Sequence, residues 1–520
     1  MRIATPIPLL IMACQGPDKS GRDSGEDSGV DSIAVEAGLF ENGEAWGVID
    51  TTDDDPARRE QNPMGIADFN GDGLDDLILG KRGVGLVVHL NRGEVFEQIQ
   101  TLSITDPSGI AIGDIDNDGD LDLWSGGHVD QMHLYENDGM GGFSDISELA
   151  GIAQLPTVPQ KMDGVFGDFD QDGDLDLFIN RAGLMQNTPD TRLDLLLQNE
   201  GDGRFEDVSS WLPDQWRTGM GWSSLWADFD DDGDLDLYTV NSDQGFYGPS
   251  RLLINEGSAQ NGSWTFSSGE MSCYCTHQTN PMGASAADWN NDGWLDLFLT
   301  NTGENTLLQN FGDGSFTDMT FSVGSMGMGG SNFMTYGAAW FDWDHDGWLD
   351  LFAAAGPLHD GNSFPQEEEA QPDFFWKGDG QTLVDMAPVL GVDSKAAGRA
   401  VSVGLITGDN HLDVMVSNLG AKSLLYESRQ TDRPALIVSL DDSLGNRFGL
   451  GARIRLTTDD GLVQLREIST KPGWGAGSHP RAHFGLGDAT PETLEVRWLG
   501  QGWQIVDLEG RISGRMTIER

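Results

Sequence analysis

Only three cysteines occur in the 520 residues, too few for a disulfide scaffold to hold so long a chain. Basic residues are scarce as well: 30 Lys and Arg stand against 85 Asp and Glu, a formal net charge of −55. Such a chain repels phosphate backbones, which excludes nucleic-acid binding driven by counterion release. An anionic lipid surface is disfavoured for the same reason. Beyond the N-terminus, no apolar run approaches the roughly 20 residues that a membrane helix needs. No HExxH, GxSxG, P-loop or GxGxxG fingerprint stands in a convincing context, and the nine His are scattered. The charge does not imply disorder, because 38% of residues are hydrophobic, among them 16 Trp and 23 Phe. The 70 Gly favour turn-rich β structure over helix.

The N-terminus reads as an export signal. Met1-Arg2 precedes an apolar run from Ile3 to Ala13, then Cys14. One positive charge, a short apolar stretch and a small residue before a Cys resemble a bacterial lipoprotein signal, with Ile11-Met12-Ala13-Cys14 as a loose lipobox. Residues 1–14 are therefore expected to be a signal peptide ending at a lipidated Cys14. The chain would be exported to the cell envelope or surface, at the outer membrane, held only by that lipid. Residues 15–29, polar and acidic, suit a flexible linker. Cys273 and Cys275 form a Cys-x-Cys pair, read as a small disulfide in a surface loop, with a soft-metal pair as the other reading.

Internal repetition governs the rest. The pattern D-x-[DN]-x-D-G-x-x-D occurs as DFNGDGLDD from Asp68, DIDNDGDLD from Asp114, DFDQDGDLD from Asp168 and DFDDDGDLD from Asp228. It recurs as DWNNDGWLD from Asp288 and DWDHDGWLD from Asp342, and a decayed copy, LITGDNHLD, starts at Leu405. Each copy is entered by small apolar residues and leaves into alternating Leu-Asp-Leu-Phe, a strand pattern. A second motif of the type LLLQNEGDGRFEDVS follows and reads as a hairpin. Four strands per unit predict an all-β propeller over 30–428 with seven blades. The last unit lacks an outer strand, and residues 30–39 resemble the missing piece, so the ring is expected to close through them.

Alternate acids at positions 1, 3 and 5, with Gly at position 6, bring oxygens onto one cation as in the first half of an EF-hand loop. The carbonyl of position 7 and the acid at position 9 complete such a cage. Hard oxygen donors suit Ca²⁺ better than Zn²⁺ or Mg²⁺. The expected ligands are Asp68, Asn70, Asp72 and Asp76; Asp114, Asp116, Asp118 and Asp122; Asp168, Asp170, Asp172 and Asp176. They continue with Asp228, Asp230, Asp232 and Asp236; Asp288, Asn290, Asp292 and Asp296; Asp342, Asp344, Asp346 and Asp350. About six ions follow, and the decayed copy is expected to bind none. The bulky apolar residue at position 2 (Phe69, Ile115, Phe169, Phe229, Trp289, Trp343) is read as packing between blades.

These repeats resemble the integrin-alpha-like FG-GAP/VCBS family, which implies calcium loops on a seven-bladed β-propeller. Residues 431–520 have fewer Asp and more Arg, with GNRFGLGARIRL, PRAHFGLGD and LEVRW marking strands and Gly-rich turns. That segment resembles the ASPIC/UnbV module, a small β-rich domain, and the whole chain resembles the cartilage acidic protein family. His479, Arg481 and His483 are read as stabilising a turn rather than as an anion or metal site. With no catalytic fingerprint and the loop carboxylates committed to calcium, the chain is expected to be a monomeric, non-catalytic calcium protein of the cell surface that binds an extracellular protein or polysaccharide. Long loops at 242–281 and 354–380 are the expected recognition surfaces. The competing reading is a polysaccharide lyase or hydrolase working in the central funnel.

Overall fold

The structure, a computed structural model, describes the backbone of Phe40–Asn42 and residues 63–520, apart from 94, 128–131, 156–161, 182–192, 220, 243–248, 261, 270–279, 325–332, 358–370 and 429–432. Cys14, Cys273, Cys275, the segments 1–14, 15–29 and 30–39, and much of the two long loops lie outside the described residues. No helix among the described residues is long and apolar enough to cross a membrane.

Seven antiparallel sheets precede the C-terminal region. Their first strands are Met64–Ala67, Pro107–Gly113, Met162–Gly167, Gly221–Ala227, Asn280–Ala287, Thr335–Phe341 and Ala397–Gly404. These strands are rich in Gly and Ala and buried, as close packing about an axis demands. Each contacts the first strand of the next sheet, and Met64–Ala67 contacts both Pro107–Gly113 and Ala397–Gly404. The arrangement is a β-propeller. The last sheet is completed by Phe40–Asn42, which pairs antiparallel with Leu424–Ser428, Phe40 opposite Ser428. That strand falls just past the stretch 30–39 expected for it. An edge strand exposes little patterned surface, so side chains alone set its register poorly.

The apolar residue at position 2 of each loop enters the core shared with the following sheet. Phe69 meets Phe143 edge-on at 5.5 Å, and Phe229 meets Phe316 at 5.6 Å. Trp289 joins a cluster with Leu351 and Trp376, and Trp343 one with Val414 and Tyr426. Buried aromatic and aliphatic surface between blades is thus the main adhesive of the ring.

Asparagines add a polar clasp at the same junctions. Asn137 Nδ2 donates to Phe69 O, Asn199 Nδ2 to Ile115 O, Asn255 Nδ2 to Phe169 O and Asn310 Nδ2 to Phe229 O, all at 2.8–2.9 Å. Asn91 Nδ2 donates to Ile406 O at 2.8 Å, carrying the series from the first sheet to the seventh. Each is the Asn of the second motif, and each satisfies a buried carbonyl that would otherwise be unpaired.

The C-terminal region holds a sheet of Ala482–Gly485, Ala435–Asp441 and Gly514–Glu519, and another of Val463–Glu467, Arg453–Thr458, Pro491–Arg497 and Gln504–Val506. Between the two sheets, residues 468–481 leave the module and enter the axis of the propeller. Ala476–Ser478 pairs in parallel with Met64–Ala67 as a fifth strand of the first sheet. Trp474, 2% exposed, packs against Trp222 and Tyr336. Glycine is required at 473, where a Cβ would stand 2.4 Å from Ala338 O.

Candidate metal centres

Each nine-residue loop joins the first strand of a sheet to the second, so six acidic loops crowd one face of the ring. Their backbone is the same throughout. Position 4 is left-handed even without Gly, with φ of 59° at Asn117, 60° at Gln171, 62° at Asp231, 55° at Asn291 and 54° at His345. Position 6 follows with φ of 88–100° from Gly73 to Gly347, and that is why Gly stands there in all six. The acid at position 1 accepts the N–H of this Gly through Oδ2, from Gly73 to Asp68 at 2.8 Å through Gly347 to Asp342 at 2.8 Å.

Position 9 does more than the sequence reading assigned to it. Its Oδ2 accepts the N–H of position 2, as from Ile115 to Asp122 at 2.9 Å. Its Oδ1 accepts the N–H of the clasp residue on the third strand, as from Asn137 at 2.8 Å. The acid therefore ties the loop to its own blade and keeps lone pairs for a further partner.

Oxygens from three acids lie within 4.8 Å of one another in five loops: Asp114/Asp116/Asp122, Asp168/Asp170/Asp176, Asp228/Asp230/Asp236, Asp288/Asp292/Asp296 and Asp342/Asp344/Asp350. The first loop keeps the same hydrogen bonds, with the Asn70 amide where four of the other loops place an acid. Burial, reinforced by neighbouring carboxylates, pushes Asp114 up to about 7, Asp168 to about 8 and Asp122 to about 9. Asp168, Asp228 and Asp344 each hold a buried Oδ1 without a hydrogen-bond partner. Converging buried oxygens with unspent lone pairs and mutual repulsion are the donor set of a hard cation. These clusters are able to hold metal ions. In the decayed loop the need is met internally, since Thr407 Oγ1 donates to Asp413 Oδ2 at 2.9 Å and Leu405 replaces the first acid.

The C-terminal module sits on this acidic face through its arginines. Arg497 Nη2 lies 2.6 Å from Asp228 Oδ2, and Arg453 Nη1 lies 2.7 Å from Asp231 and also pairs with Glu467. Arg515 donates to Gly73 O of the first loop, and Asn117 of the second accepts from Arg447 N. Arg481 Nη2 pairs with Asp75 Oδ1 at 2.5 Å. His483 Nε2 lies 3.1 Å from Asn410 O, and its ring packs against His345. The expectation that Arg481 and His483 merely stabilise a turn is corrected: they dock the module on the ring. Asp75 was also missed. It occupies position 8, where the other loops have a buried Leu (Leu121, Leu175, Leu235, Leu295, Leu349), and that lone exception was the available signal.

Similarity to known proteins follows the same division. FG-GAP-like repeats match at 68–125, 114–179 and 288–353, and the ASPIC and UnbV family at 442–509. Cartilage acidic protein 1 of Xenopus tropicalis is 28% identical over 197 residues, which cover 37% of this chain and 28% of that protein. The matched part thus spans less than a third of that relative's length. Among solved structures, BBS1N in complex with ARL6DN has a TM-score of 0.44 at 10% identity, covering 76% of this chain and 99% of that one. YCF48 bound to D1 peptide has a TM-score of 0.41 at 11% identity, covering 77% and 99%.

Proposed function

Starting from a chain of FG-GAP-like repeats that ends in an ASPIC/UnbV segment, we propose a non-catalytic, calcium-stabilised binding protein of the cell envelope. About six Ca²⁺ would offset part of the negative charge of the acidic loops. Recognition of an extracellular protein or polysaccharide would then use the faces that the module leaves open. The observation that carries this reading is the use already made of the loop face and the axis. Module arginines occupy the first, and residues 468–481 run through the second, held by Thr470 Oγ1 on Ile112 O and by Ser402 Oγ on Gly477 O.

The same observation weighs against a hydrolase or lyase in the central funnel. Three acids beside it are each paired with a cation: Asp75 with Arg481, Asp163 with Lys471, Glu467 with Arg453. A general acid or base needs a free proton position facing substrate. The deciding experiment is a glycan-array and pull-down screen with the full chain in Ca²⁺ and in EDTA. Retention of a glycan or protein in Ca²⁺ and its loss in EDTA is the expected result. Turnover of a polysaccharide, with no ligand retained, would replace this reading with the enzyme.

Localisation belongs to the same proposal. A lipid on Cys14 would hold the chain to the envelope, with 15–29 as tether. Cys14→Ser is expected to move the protein from the membrane to the soluble fraction. A variant that stays with the membrane removes the anchor from the proposal.

A further inference from the structure

The residue preceding each clasp position has the same seat in every blade. The register is fixed by the common hydrogen bond from the clasp N–H to the acid at position 9, at Asn91, Asn137, Asn199, Asn255, Asn310 and Gly378. The preceding residues are Leu90, Glu136, Gln198, Ile254, Gln309 and Lys377. From this seat three of the side chains reach the rim of their own loop. Gln198 Nε2 donates to Asp170 Oδ2 at 2.5 Å, and Gln309 Nε2 donates to Asp292 Oδ2 at 2.9 Å. In the sixth loop, Lys377 Nζ contacts Asp344 Oδ2 and lies 2.9 Å from Asp346 Oδ2. These are oxygens of positions 3 and 5, the ones a bound cation would take.

We propose that the residue in this seat tunes the cation affinity of its loop, and that Lys377 makes the sixth loop a weak site in which Ca²⁺ must displace an ammonium. The seat is occupied by one acid, two aliphatics, two amides and one ammonium. The formal charge of the residue in the seat runs from −1 at Glu136 to +1 at Lys377. An amide donor leaves a carboxylate's charge in place, whereas an ammonium cancels one charge and stands where the ion would approach. The sixth loop is then expected to fill after the second, third and fifth, whose seats hold an acid or an amide; the fourth, where Arg497 already pairs with Asp228, stands outside this order. The inference rests on the loops taking Ca²⁺ at all.

The test is calorimetric titration of Ca²⁺ into the calcium-free full chain, comparing wild type with Lys377→Gln and Glu136→Lys. Lys377→Gln is expected to tighten the weakest class of site roughly tenfold or more, a change of about 1.4 kcal/mol per decade. Glu136→Lys, made in a different loop, is expected to turn one tight site into a weak one. Isotherms of both variants that superimpose on wild type overturn the role of this seat while leaving calcium binding intact. Absence of any Ca²⁺ binding by the wild type overturns both this inference and the function proposed above. Should Lys377→Gln fail to fold, Glu136→Lys decides alone, since its isotherm either loses a tight site or does not.

Discussion

Removal of divalent cations by EDTA is expected to lower the melting temperature of the full chain by on the order of 10 °C or more, with recovery on adding excess Ca²⁺. Ions bound only by the folded state stabilise it by about 2.7 kcal/mol per site at a hundred times the dissociation constant. Five or six such sites together contribute about 13–16 kcal/mol, comparable to the whole net stability of an ordinary domain, which is roughly 5–15 kcal/mol. The sign follows from the loops. Twenty-two carboxylates stand at the expected ligand positions. Apart from half-buried Asp68, those at positions 1 and 9 are buried, Asp228 and Asp236 at 2% and 0% exposure. Without a cation, folding must either bury like charges side by side or take up protons; burial already pushes Asp342 up to about 7 and Asp122 to about 9. Mg²⁺ is expected to restore less, because it demands near-octahedral geometry and retains water. A melting curve in EDTA that overlays the curve in Ca²⁺ rejects calcium as a structural ion here.

The loops were legible because their chemistry is local. Nine consecutive residues determine the turn, the Gly at position 6 and the convergence of acids, and six copies remove chance. The four-stranded units were legible for a related reason, since a strand of period two and a Gly-Asp-Gly hairpin are short-range signals. What escaped notice depends on partners far apart in sequence. Asn137 looks like a turn residue until its amide is found on Phe69 O, 68 residues away. Gly473, Trp474 and Lys471 look like a Gly-rich loop until they are seen in the axis of the ring. The acidity divides in the same way. Part lies at the loops, and part of what remained unexplained there is met by the module, whose Arg453 and Arg497 answer the extra acid Asp231. A rise in Arg after residue 431 was visible, but its target was not. Lys377, like Asp75, was a discordant residue in plain view, a lysine in a chain with seven, placed next to the most regular feature of its blade.

Lys471→Met is expected to destabilise the protein by about 3–5 kcal/mol, and Lys471→Met with Asp163→Leu to recover much of that loss. Lys471 Nζ lies 2.6 Å from Asp163 Oδ1 and 3.3 Å from Ile110 O, and the two side chains are 2% and 3% exposed. Desolvating both charges makes the pair a weak source of net stability, yet breaking it strands a carboxylate among buried groups. Burial already pushes the Asp163 carboxyl up against the opposing pull of Lys471. The single variant therefore loses the attraction and keeps the desolvation, whereas the double variant removes both. The pair also joins two regions 308 residues apart, the third blade and the axial segment. If the segment is an integral part of the ring, the single variant melts as one cooperative transition at lower temperature. If it were a detachable strap, Lys471→Met would release the module while the propeller melted as in wild type. Differential scanning calorimetry separates these outcomes, one transition displaced or two transitions with the upper one unmoved. The parallel pairing of Ala476–Ser478 with Met64–Ala67, and Trp474 wedged between Trp222 and Tyr336, favour the first. Withdrawing the segment would open the first sheet along its inner edge, so ring and module are expected to unfold together.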